Sequence, residues 1–199
     1  MRPFRLTAAL AACAAVLGAC VSGGRKVPPT VSPAATSASP GVSGPVTDSV
    51  PYWCDLVPRG ALSRVSGVLT GLSEIRNSGA TRDRSICGVR DKERYGPLVV
   101  QWNVTGGRDE IATWLKDIGS DHPIRLPSQL GVGFSVYSQS ASRLPYFAAS
   151  TFDCGPHDAW IELFLRRISS GRNATRDLTD LMRIAQKRFG ELHRCTPAG

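Results

Sequence analysis

The chain is poor in the residues from which most active centres are built. Three histidines occur in 199 residues, and none stands at metal-ligand spacing from another, so no His-Glu-x-x-His zinc motif forms. No Gly-x-Ser-x-Gly elbow, P-loop or three-glycine nucleotide fingerprint is present. The cysteines of the body of the chain lie far apart, without the short Cys-x-x-Cys pairs of a structural zinc site. There is also no apolar run of the roughly 20 residues that a membrane-spanning helix needs. These absences speak against zinc hydrolases, serine hydrolases of that type and nucleotide-binding enzymes, and no cofactor or metal is expected. What remains is ample material for a core: 42% hydrophobic and 20% charged residues, with four Trp and six Phe. That suits one domain with appendages.

The N-terminus carries an export signal. Arg2 and Arg5 precede an apolar stretch from Leu6 to Ala19, as in a secretory signal peptide. The stretch ends in Leu17-Gly18-Ala19-Cys20, which resembles the lipobox of bacterial lipoproteins. The resemblance implies cleavage before Cys20 and a diacylglyceryl group on its thiol, and two acyl chains give stable anchoring where one is marginal. Residues 1–19 are read as the signal. Residues 20–50 form a Ser/Pro/Gly-rich tether too poor in large apolar residues to offset the entropy of folding, hence flexible. Residues 51–199 form the domain, with Pro51-Tyr52-Trp53-Cys54 marking the change in composition. The expected location is the outer, extracytoplasmic face of a cell membrane.

In an oxidising exterior Cys54, Cys87, Cys154 and Cys195 are expected to form two disulfides. Three pairings are open; the preferred one joins Cys54 to Cys87 and Cys154 to Cys195, because each pair then ties a helix end to a strand in its own half of the chain.

The domain shows alternating helical and strand periodicity. Leu56, Leu62, Val65, Val68 and Leu69 mark a helix ending at Gly71, and Ser73 to Arg84 reads as a polar loop. Strands are expected over Ile86 to Arg90 and Leu98 to Val104, then a helix after Gly106-Gly107 with Ile111, Trp114, Leu115 and Ile118 on one side. Further strands cover 132–138, 146–152 and 159–168. A last helix runs from Asp177 to about His193, with Leu178, Leu181, Met182, Ala185, Phe189 and Leu192 facing the core. The order αββαβββα predicts an α+β fold, an antiparallel sheet with helices packed on it.

Together the lipobox, the tether, the Trp-Cys-Asp-Leu-Val segment at Trp53 to Val57 and the Ser-Ile-Cys-Gly strand at Ser85 to Gly88 resemble the actinobacterial lipoprotein family catalogued as domain of unknown function 3558. The layout covers roughly Cys20 to Cys195. The resemblance implies an envelope lipoprotein without established enzymatic activity, so it transfers no catalytic residues.

Two features invite a sharper reading. Asp153-Cys154-Gly155-Pro156-His157-Asp158 gathers a thiol, an imidazole and two carboxylates within six positions, but a one-thiol turn cannot cycle through its own disulfide, and a bridged cysteine in a Gly-Pro turn is the plainer reading. The second is charge. The chain carries a net +8; without Arg2 and Arg5 it carries +6, and without Arg25, Lys26 and Asp48 of the tether the domain keeps +5. Arg176, Arg183, Lys187 and Arg194 lie along the last helix as candidate anion-binding residues, for which wall polymers or lipid head groups are the available anions. Export makes nucleic acid an unsuitable partner. The expected function is a lipid-anchored binding or interaction module that contacts the membrane through its anchor and an envelope protein or anionic ligand through its domain. The alternatives are a carrier of an apolar or amphipathic small molecule, and an envelope hydrolase or redox enzyme.

Overall fold

A computed structural model describes residues 44–92, 96–118, 121–139 and 143–199. The signal segment, Cys20 and most of the tether lie outside the described residues. Among those described, no helix is long and apolar enough to cross a membrane.

The fold is α+β. A two-stranded ribbon, β1 (Tyr52–Trp53) and β2 (Val57–Pro58), leads into helix α1 (Arg59–Ser66). Seven strands then form one antiparallel sheet: β3 (Ser73–Arg76), β4 (Arg84–Arg90), β5 (Leu98–Asn103), β6 (Ile124–Arg125), β7 (Val132–Tyr137), β8 (Tyr146–Cys154) and β9 (His157–Leu165). Their spatial order is β3-β4-β5-β9-β8-β7-β6. Helix α2 (Gly107–Asp117) follows β5, and α3 (Ala174–His193) closes the chain after β9.

Alternation along the strands divides the apolar residues between two faces. On one face Leu98, Val100, Ile161, Leu163 and Leu165 meet Leu62 and Val65 of α1 and Leu181, Met182 and Phe189 of α3, all within one buried cluster. On the other face Phe134, Val136, Phe147 and Ala149 meet Ile111 of α2, with Trp114, Ile118 and Phe164 packed at the margin. Fully burying one such side chain contributes about 1.5–3 kcal/mol, so the α1/α3 face, with the larger cluster, carries most of the stabilisation. The sheet is thus a middle layer, with α1 and α3 on one side and α2 on the other.

Local chemistry explains where the helices stop. The first ends at Gly67, whose φ of 72° closes the turn with its N–H on the Ser63 carbonyl, so the apolar stripe read as reaching Leu69 is cut short and Leu69 is exposed. The last begins at Ala174, three residues before the expected start, because the Asn173 side chain accepts from the N–H of Arg176 and caps it. Leu192, expected in the core, is 40% exposed, because the last turn of α3 turns Phe189 and His193 inward instead.

One strand falls within the segment read as a polar loop, and a second short one lies where no element was expected. The polar Ser-Glu-Ile-Arg of β3 is held by backbone pairing with β4, by Glu74 accepting from the Cys54 N–H at 2.6 Å, and by Arg76, which pairs with Asp55 and Glu74, each at 2.8 Å. The two residues of β6 pair only with Ser135 and Phe134. The disulfides join Cys54 to Cys87 and Cys154 to Cys195; the first ties the ribbon ahead of α1 to β4, and the second ties the end of β8 to the chain just past α3.

The last residues of the tether region are fastened to the domain. Carbonyl oxygens of Gly44 and Pro45 accept from Arg172 and Arg64. Val46 packs against the larger core cluster. Asp48 accepts from Tyr52 and from Lys187, each at 2.7 Å.

Candidate functional site

A concavity suited to an apolar group lies between the second half of α2 and the sheet. It has a volume of about 450 Å³ and is lined by Trp114, Ile118, Val136, Leu144, Phe147 and Phe164, with Asp117, Asp121 and Arg143 at its rim. That volume is within the roughly 300–1,000 Å³ of small-molecule sites. Its floor is an aromatic stack: the Phe147 and Phe164 rings lie 4.5 Å apart at 21°, and Trp114 tilts over Phe147 at 4.6 Å. Offset and tilted pairs of this kind add about 0.5–1.5 kcal/mol beyond their buried area, which makes the floor rigid.

Beside the floor sits a buried carboxyl group. Glu162 is 2% exposed, opposite Gln101 on β5 and Ala149 on β8. The indole N–H of Trp114 donates to its Oε1. Burial, and then the neighbouring Glu110 carboxylate, push its pKa up to about 8, against the stabilising bond from Trp114. At neutral pH Glu162 is therefore mainly an uncharged acid, which a buried position tolerates far better than an unpaired carboxylate. Its signal in the sequence is slight: a single Glu between Trp160 and Phe164 on the face that α2 must cover.

Helix α2 is positioned from a distance. Gly106 turns the chain at φ 81°, and the N–H groups of Gly106 and Arg108 donate to Oδ1 and Oδ2 of Asp158 at 3.1 and 3.3 Å. These bonds, that of Arg108 first, hold the Asp158 carboxyl below its ordinary pKa. The amides of Gly106 and Arg108 at the start of α2 are thus engaged by the Asp158 carboxylate. Gly107 also permits close packing, since a Cβ there would lie 2.0 Å from Thr151 Oγ1 and 2.8 Å from the Ala159 carbonyl.

The six-residue cluster at Asp153 to Asp158 resolves into structural parts. Cys154 is bridged to Cys195, Gly155 at φ 65° turns the chain, and Asp158 caps α2. The backbone N–H and C=O of Asp153 pair with Ala198. His193 stacks on Phe189 at 4.1 Å and meets the Trp102 ring edge-on at 5.0 Å. Burial and then Arg82 lower its pKa, against the nearby Asp83. Among the described residues, Cys54, Glu74 and Cys87 bring potential ligand atoms within 4.8 Å of one another, but both sulfurs are spent in the disulfide.

Three of the four candidate anion-binding residues already have carboxylate partners. Arg183 pairs with Asp180 at 2.5 Å and Arg176 reaches the same carboxylate at 4.0 Å. Lys187 pairs with Asp48 at 2.7 Å and reaches Glu191 at 4.0 Å. Arg194 adopts the left-handed conformation that ends α3. The face is therefore a lattice of exposed ion pairs that includes the tether, rather than a bare positive strip.

Comparison with protein-family models, with curated proteins and with solved structures finds no match to this chain.

Proposed function

We propose that the chain is a lipid-anchored binding module on the extracytoplasmic face of a cell membrane, acting by binding rather than by chemistry, and that it holds an apolar or amphipathic group in the cleft under α2. The observation that carries this reading is the rigid aromatic floor of Trp114, Phe147 and Phe164 in a cleft of small-molecule size. The export and anchoring part rests on the basic, apolar and Cys20 pattern of the N-terminus. Paired cysteines suit an oxidising exterior and leave the domain without a free thiol, which disfavours the redox alternative.

A fluorescent amphipath, anilinonaphthalene sulfonate, tests the cleft. The purified chain is expected to bind it saturably at one site, and Leu144→Glu, which puts a charge on the partly exposed wall, is expected to weaken binding about tenfold. No saturable binding, or binding that ignores Leu144→Glu and Phe164→Ala alike, would sink the cleft as a ligand site.

A further inference from the structure

A second cavity opens at the N-terminal end of β6. That strand pairs only with Ser135 and Phe134, so β7 continues through Val136 and Tyr137 without an outer neighbour among the described residues, leaving a notch at the sheet edge. The notch holds about 570 Å³. Tyr137, Tyr146, Ser135, Gln139, His122 and Thr175 line it, together with Ile124 and Leu178. It meets the α2 cleft at Ile118, Asp121 and Val136, which line both.

We propose that this notch is a saccharide subsite, taking a neutral, hydroxyl-bearing sugar ring. Three observations point to that chemistry. First, Tyr137 and Tyr146 face each other across β7 and β8, with ring centroids 5.0 Å apart and planes at 41°, and Tyr137 is 53% exposed. The two rings touch each other, so a ligand meets their outer faces, and the exposed Tyr137 ring offers a platform on which the C–H groups of a puckered sugar ring rest. Second, the Ser135 hydroxyl is buried, with the residue 1% exposed and its Oγ without a hydrogen-bond partner. A buried hydroxyl left unpaired costs about 1–3 kcal/mol, a cost that a ligand hydroxyl in the notch removes. Third, the polar lining suits hydroxyl groups and not anions. Hydroxyl, amide and imidazole side chains can donate as well as accept. Among the described lining residues there is one carboxylate, Asp121, and no lysine or arginine, so a phosphate or carboxylate would meet repulsion without the forked cation that normally holds it.

This subsite uses different residues from the aromatic floor of the cleft and stands or falls separately. The purified full chain is presented to an array of neutral and acidic mono- to tetrasaccharides, and hits are titrated by saturation-transfer NMR with the soluble sugar up to about 10 mM, tenfold above a weak millimolar site. Neutral sugars are expected to bind, with ring protons receiving the strongest transfer. Tyr137→Ala is expected to weaken binding about tenfold and Ser135→Ala several-fold, while Leu144→Glu leaves it unchanged. Gln139→Ala, at an exposed position, gives a second reading should Tyr137→Ala lower the unfolding midpoint. Retention of no neutral sugar, preference for acidic sugars or inorganic phosphate, or affinity indifferent to both Tyr137→Ala and Gln139→Ala overturns the proposal.

Discussion

The indole N–H of Trp114 and the buried carboxyl of Glu162 are hydrogen-bonded across 48 residues of sequence, fastening α2 to the middle of the sheet. Because the acid is raised to about 8 in the fold, its proton is linked to stability. Below about pH 4.5 the group is protonated in both states and is neutral for folding. Between about 4.5 and 8 the unfolded chain releases the proton and the folded chain keeps it, so stability falls as pH rises; above about 8 both states are ionised and the decline ends. Glu162→Gln retains an acceptor for the indole and removes the titration. Its unfolding midpoint should exceed that of the parent by roughly 10–15 °C at pH 8 and by much less at pH 5. A difference independent of pH between 5 and 8 would show that Glu162 does not titrate in the fold.

Arg172 and Asp177 form a forked pair with N···O distances of 2.5 and 2.6 Å, almost out of reach of water. Asp177→Ala leaves the guanidinium without its carboxylate partner at the start of α3 and should cost about 3–5 kcal/mol in urea unfolding. Arg172→Met combined with Asp177→Leu should cost clearly less, since no uncompensated charge remains. Equal losses would mean that the pair acts through packing alone.

The disulfides close loops of 33 and 41 residues in sequence separation. In the chain-entropy account each contributes about 4 kcal/mol. Replacing both cysteines of either pair by serine should lower stability by a similar amount. A much larger loss for Cys154→Ser with Cys195→Ser would show that the link also holds the last turn of α3 in the core beside Phe189.

Cys20→Ala addresses the anchor. The substitution is expected to move the protein from the membrane fraction into the medium, or to leave an unprocessed precursor. Detergent-phase partitioning identical to that of the parent would remove lipid attachment from the proposed function.

Much of this architecture is legible in the amino-acid order because it is carried by apolar spacing. Leu98, Val100 and Trp102 alternate as the core requires, and Leu181, Met182, Ala185 and Phe189 fall on the buried side of α3. Polar segments fastened by backbone and long-range side-chain bonds are silent in the same sequence. Ser73 to Arg76 has no apolar pattern, and its place at the sheet edge depends on Cys54, Asp55 and β4. The start of α2 depends on Asp158, about 50 residues away. Glu162 looks like the solvent side of an alternating strand because alternation cannot reveal that a helix covers that side. The cleft and the notch arise from α2 crossing the sheet and from β6 pairing with β7 only from Ile124 onward, both properties of packing rather than of any motif.

Gly44, Pro45 and Asp48 are lashed to Arg172, Arg64 and Lys187 on the α1/α3 side of the sheet, whereas the aromatic cleft opens on the α2 side. The strap therefore occupies the face of the sheet opposite the cleft, so residues 44–48 leave the mouth beneath α2 uncovered.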